Sequence, residues 1–151
     1  MSDDPLTWQL FNEIGIIDQL AGTMFERVLP GGMTRAQFTV LNHFVRLGHA
    51  HRSPGELARA LQVTRATMTS TLGRMARAGL VTIAPEPRDG RGKRVALTPA
   101  GLAMRGRCLA AVAPLLPMVD GLLDAAEIAA LLPPLRTLRA GLDRMRDPPA
   151  N

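Results

Sequence analysis

The chain has 151 residues, enough for one domain that buries about 70% of its unfolded surface; its apolar content is mostly Ala and Leu, with five aromatics, which favours packed helices over a strand sandwich. The net charge of +5 is concentrated: residues 52–94 hold nine basic side chains against three acids, a local +6, which points to a polyanionic partner. The single cysteine, Cys108, excludes an intrachain disulfide and any Cys-rich zinc module, while the acidic start MSDDPLTWQLF and the lack of an uninterrupted apolar run of spanning length exclude a secretory signal and a membrane helix. A soluble cytoplasmic protein with no membrane partner is the expectation.

The elements follow in order. Leu6, Leu10, Ile14, Ile17, Ala21, Met24 and Val28 mark one face of a first helix, stopped by Pro30-Gly31-Gly32. Thr34 and Gln37 form a capping-box pattern ahead of Phe38, Leu41, Phe44 and Val45, a second helix ending near Gly48. Ser53, Pro54 and Glu56 open a third, short helix whose buried side is Leu57 and Leu61. After a turn at Gln62-Val63, Thr64 caps a fourth helix with Met68, Leu72 and Met75 facing inward and Gly79 just past its end. The period then changes to that of strands at 80–84 and 93–97, joined by a basic loop over 85–92. Thr98-Pro99 starts another helix, and Asp124 with Glu127 starts the last one. Pro114 and Pro117 predict a bend in the former, and Pro133-Pro134 predict a kink or split in the latter. Residues 147–151 read as a frayed tail. Cys108 reads as a packing residue, with a redox role as the alternative because Arg105 and Arg107 adjoin it.

The fold class is therefore mainly α with a small β-wing. Helix, turn and helix over 53–78 form a helix-turn-helix, in which the second helix presents its N-terminal side chains to the major groove. Those are Thr64, Arg65, Thr67, Thr69 and Ser70, followed by Arg74; Arg65 has the fork geometry for guanine, and Ser53 can reach the backbone from the preceding helix. The strand–loop–strand adds a wing carrying Arg88, Arg91, Lys93 and Arg94, suited to a minor groove. Asp89 either orients the Arg91 guanidinium by a charge-assisted bond or favours the turn before Gly90.

Gln37-Phe38-x-Val40-Leu41, Glu56-Leu57-Ala58, Val63-Thr64-Arg65-x-Thr67, Gly79-Leu80-Val81, Asp89-x-Arg91 and Val95-x-Leu97-Thr98-x-x-Gly101 together resemble the MarR family of transcriptional regulators, in the right order and spacing over about residues 33–102. The resemblance implies a single domain with a winged helix-turn-helix lobe (31–97) flanked by dimerisation helices (5–30 and 98–146). It implies a homodimer on a pseudo-palindromic operator in double-stranded DNA, usually a repressor, released by a small aromatic or phenolic effector and needing no cofactor or metal. It also implies that Arg91 enters the minor groove with Asp89 positioning it. Two positions depart from the family pattern: Ser70, where Arg is common, and Gly73, where an acidic or polar residue is common.

Trp8, Phe11, His43 and Arg46 are the candidate effector contacts, set against ordinary packing or solvated positions. An enzyme is disfavoured, because His43, His49 and His51 fit no nucleophile or metalloprotease pattern; His49-x-His51 alone makes a poor metal site. The remaining alternative is a winged helix used for protein contacts without a specific DNA target.

Overall fold

The computed structural model describes residues 3–146, which fall into two compact units divided between Val112 and Ala113. The tail read at 147–151 lies outside the described residues.

In the first unit, α1 (Leu6–Val28) packs against α2 and α5, and is fastened in its second turn from the end. Gly22 is its one buried residue, because the Arg35 guanidinium lies directly over it, paired with the Asp18 carboxylate. Glu26 accepts the Arg35 N–H at 3.2 Å, so one arginine fastens α1 to the start of α2 (Arg35–Leu47). The capping box predicted at Thr34 is present in both halves, and Val40, Leu41, His43 and Phe44 are buried. α3 (Pro54–Ala60) has the same reciprocal cap from Ser53 and Glu56, and buries Leu57 and Ala58.

Gln62 takes a left-handed φ of 54° in the turn to α4, a conformation that costs a side-chain-bearing residue about 1–2 kcal/mol; its amide donates to the Arg59 carbonyl at 2.7 Å. α4 (Arg65–Arg77) buries Met68, Leu72 and Met75, as their spacing predicts. It ends at Gly79, whose φ of +73° an L side chain would resist.

The wing differs from its sequence reading. β1 (Val81–Glu86) and β2 (Asp89–Leu97) are longer than expected, and only Pro87 and Arg88 turn between them. Most of the predicted loop is thus strand. Its glycines and charges resemble loop composition, but pairing to a partner strand overrides that local preference. The antiparallel register runs from Val81↔Leu97 to Pro85↔Lys93, then jumps to Glu86↔Asp89. Pro85 has no N–H to continue the ladder, and the jump leaves Gly90, Arg91 and Gly92 as a bulge in β2. On the inner edge Arg52 pairs with Val95 through both backbone bonds, at 2.9 and 2.8 Å, so the segment ahead of α3 adds a one-residue third strand.

Thr98 opens α5 (Pro99–Val112): its hydroxyl donates to the Gly79 carbonyl at 2.6 Å and accepts from Gly101 N–H at 3.0 Å. Its own N–H donates to Leu80 at 3.1 Å. Arg105 forks onto the Asn42 side-chain oxygen at 3.0 and 3.1 Å, and Cys108 is sealed in the core. Burial pushes the Cys108 thiol pKa up, against any thiolate chemistry. By length and composition alone, Pro99–Asp120 reaches what a membrane crossing needs, with a mean hydropathy of 1.4; Arg105 and Arg107 interrupt it, and Arg105 is committed to Asn42.

In the second unit the prolines mark an interruption of regular helix: Pro114 falls in a 3-10 turn (Ala113–Leu115) and Pro117 in the first turn of the short α6 (Leu116–Asp120). The split predicted at Pro133-Pro134 does not occur. α7 (Ala125–Met145) runs through both prolines from the Asp124–Glu127 capping box. Two prolines remove two N–H donors, and the intact ladder on either side carries the helix across. α7 has no buried residue, and α1, α5 and α6 leave Ile17, Leu20, Leu102 and Leu116 uncovered.

Two glycines give opposite expectations. A Cβ at Gly101 would overlap the Leu80 carbonyl and the Leu97 side chain, so Gly101→Ala should lower unfolding stability by about 1–3 kcal/mol. At Gly73 the nearest atom to such a Cβ is 3.8 Å away, so Gly73→Ala should raise it by about 0.5–1 kcal/mol. Urea midpoints of the two variants against the parent check both signs.

Candidate nucleic-acid interface

The buried stripe of α4 determines what its other face shows. Opposite Met68, Leu72 and Met75 stand Ser70, Arg74 and Arg77, all exposed. Thr64, Arg65, Thr67 and Thr69, nearer the N-terminus, are exposed too. Two of the hydroxyls are already used: the Thr64 hydroxyl accepts from Thr67 N–H at 3.1 Å and donates to the Thr67 hydroxyl at 2.9 Å. Arg77, absent from the candidate contacts above, shares the outward face one turn after Arg74. Its signal was available, since it lies seven residues after Ser70 on the same helical side.

Arg65 is placed differently from the other α4 cations. Its guanidinium lies back across the helix-turn-helix, over Gly55 in the first turn of α3: a Cβ built on Gly55 would be 3.3 Å from Cζ and 3.5 Å from Nε. Ser53 is half-buried, its hydroxyl accepting Glu56 N–H at 3.1 Å as the cap. In return the Ser53 N–H, at 2.7 Å, holds the Glu56 carboxyl below the usual carboxylate range, with Arg52 adding to it. Arg52 itself contacts His49 at 2.9 Å and Glu56 at 3.8 Å while its backbone carries the bridge to Val95. The head of α3 is thereby tied to the wing. No periodicity announces a one-residue bridge, so the sequence could not reveal it.

On the wing, Arg88, Asp89, Arg91 and Lys93 are exposed. The Asp89 carboxylate accepts the backbone N–H of Arg91 at 3.0 Å, so this bond holds the backbone of the bulge and not the guanidinium. Arg94 points into a cross-strand pair, forking onto Glu86 at 3.0 and 3.4 Å. That bond holds the Glu86 carboxyl low, assisted by Arg88 N–H, and leaves Arg94 as a brace across the strands.

The four candidate effector contacts are not gathered in one place. Trp8 and Phe11 are exposed, three residues apart on α1 and about four and three turns before Gly22, where α1 meets Arg35. Arg46 is exposed on α2, whereas His43 is buried in the core, its ring centroid 5.7 Å from that of His49. Packing explains His43.

A family model described as the MarR family matches residues 31–92. A mutant MarR from E. coli is 31% identical, covering 91% of this chain and 98% of that one, with a TM-score of 0.75. The same protein complexed with operator DNA is 32% identical over 86% of this chain and 93% of that one, at 0.71. BpsR from Bordetella bronchiseptica, whose DNA binding is regulated by 6-hydroxynicotinic acid, is 25% identical over 87% of this chain and 98% of that one, at 0.72. Among curated proteins the transcriptional activatory protein BadR of Rhodopseudomonas palustris is 41% identical over 71 residues, a match spanning 46% of this chain and 41% of that protein's length. Whole-length likeness above 30% identity, the family match across the helix-turn-helix and wing, and the geometry above agree: the chain belongs to the MarR family of winged-helix transcriptional regulators.

Proposed function

We propose that the chain is a sequence-specific regulator of transcription that binds double-stranded DNA as a homodimer on a pseudo-palindromic operator. The observation that carries this reading is the exposed basic surface of one lobe. Arg74 and Arg77 on α4, with Arg88, Arg91 and Lys93 on the wing, stand in solvent while the acids of the same segment are spent on internal bonds. Such a surface repels itself in water and is relieved by phosphates. Ser70, Thr69, Thr67 and Thr64 supply short polar side chains for base edges or phosphates, and the bulge offers Arg91 to the minor groove.

The homodimer rests on uncovered apolar surface: Leu6, Ile17 and Leu20 of α1, Leu116 and Met118 of α6, and Leu122 are all more than two-fifths exposed in the single chain. A second copy that covers them would set two recognition helices about 34–36 Å apart, one turn of DNA. Repression follows where the operator overlaps a promoter, whereas the relative BadR is named as an activator. The regulator acts in the cytoplasm and requires no metal. Its effector is a small aromatic acid of the kind that regulates BpsR. Binding preferentially to one spacing of the recognition helices would shift the dimer away from DNA.

A salt titration of binding to duplex DNA separates this from a protein-interaction role. Log affinity should fall linearly with log salt, by about 0.9 per phosphate neutralised, and a flat profile overturns the DNA reading. Arg91→Ala should weaken binding to all sequences and reduce that slope by about 1. Asp89→Asn keeps the oxygen that accepts Arg91 N–H and should bind within about twofold of the parent, whereas Asp89→Ala, which loses the same negative charge, should bind more weakly. Equal losses in both would assign the brace to charge. Sedimentation at micromolar concentration should show twice the 16.2 kDa chain mass.

A further inference from the structure

Gly55 and Arg65 face each other across the helix-turn-helix. Arg65 is the first residue of α4, where an extended guanidinium would reach along the groove toward bases. It does not extend. The fork lies against the first turn of α3, in space that any Cβ at position 55 would occupy. Position 55 is helical, so glycine there gives up helix propensity that alanine would supply. The other α4 arginines are unlike this one: Arg74 and Arg77 stand on the outward face, opposite the buried methionines.

We infer that Gly55 is a specificity-determining positioning residue: by leaving room for the Arg65 guanidinium against α3, it commits Arg65 to the sugar–phosphate strand and withholds it from the base edges. This rests on the DNA-binding reading above. Its chemistry is that of a guanidinium, which forks equally well onto a phosphate or onto guanine O6 and N7 and takes whichever its rotamer reaches. A methyl group at 55 displaces only the end of a flexible side chain, so Gly55→Ala folds and sends the fork forward into the groove.

The test enriches duplexes from a randomised pool with the full-length chain, then with Gly55→Ala, Arg65→Ala and the double variant, and measures salt slopes on the parent's enriched sequence. Arg65→Ala should lower affinity about equally for all sequences and reduce the slope by about 1. Gly55→Ala should acquire a guanine preference at one position of each half-site, worth about tenfold or more over the other bases, with unchanged helicity and an unchanged or raised Tm. In the Arg65→Ala background Gly55→Ala should leave the enriched profile as Arg65→Ala alone has it. The inference is overturned if Gly55→Ala enriches the parent's profile, if its effect persists without Arg65, or if Arg65→Ala itself abolishes a base preference of the parent. A parent chain with no salt-dependent duplex binding overturns the DNA-binding reading and this inference together; parent binding without the Gly55–Arg65 coupling overturns this inference alone.

Discussion

The lobe depends on one junction, where Thr98 and Gly101 close on the backbone of Gly79 and Leu80. Three hydrogen bonds of 2.6–3.1 Å converge there: Thr98 hydroxyl to Gly79 carbonyl, Thr98 N–H to Leu80 carbonyl, and Gly101 N–H to the Thr98 hydroxyl. The end of α4, the start of β1, the end of β2 and the first turn of α5 all meet at this point. Gly101 has to be a glycine because the Leu80 carbonyl occupies the space of its missing side chain. Polar groups converging on one point in this way favour a single geometry, since displacement breaks several hydrogen bonds at once. The recognition helix, the wing and a proposed dimer helix are thus mechanically continuous.

Two other arginine contacts extend that frame. Arg35 over Gly22 fastens α1 to the entrance of α2, and Arg105 on Asn42 fastens α5 to its middle. All are partly exposed, so their energetic worth is modest, and their value is directional: a planar fork with fixed donors defines orientation as well as distance. Around them the core of the lobe is apolar and closed, with Phe44, Leu41, Leu57 and Leu72 each at 1% exposure or less. The flanking helices by contrast keep their Leu and Ile in water.

Charge in the lobe follows a division of labour. Glu56, Glu86 and Asp89 each accept internal donors, one capping α3, one bracing Arg94 and one fastening the Arg91 bulge. The acids therefore shape the surface and the remaining bases face solvent. Pro85 takes part in this shaping, because the break in register beside it creates the bulge that displays Arg91.

Much of this was legible in the sequence. The three capping boxes, the Met68–Leu72–Met75 stripe, the stop at Gly79 and the helix start at Thr98 are local events, encoded within four residues by hydrogen-bonding side chains and by helical period. The ordered motifs identified the lobe, and the charge of segment 52–94 marked the basic surface proposed above to meet DNA. What only tertiary structure decided involves residues far apart in the chain or conformations chosen by a neighbour. The strand content of 85–92 required a pairing partner, and the continuity of α7 through two prolines depended on the turns around them. Sequence could place Arg65 and Arg94 on a basic face, but not choose their rotamers. Gly55, ten residues away, receives one guanidinium, and Glu86, across the strand, holds the other, because a long side chain goes where the fold leaves it room and a partner.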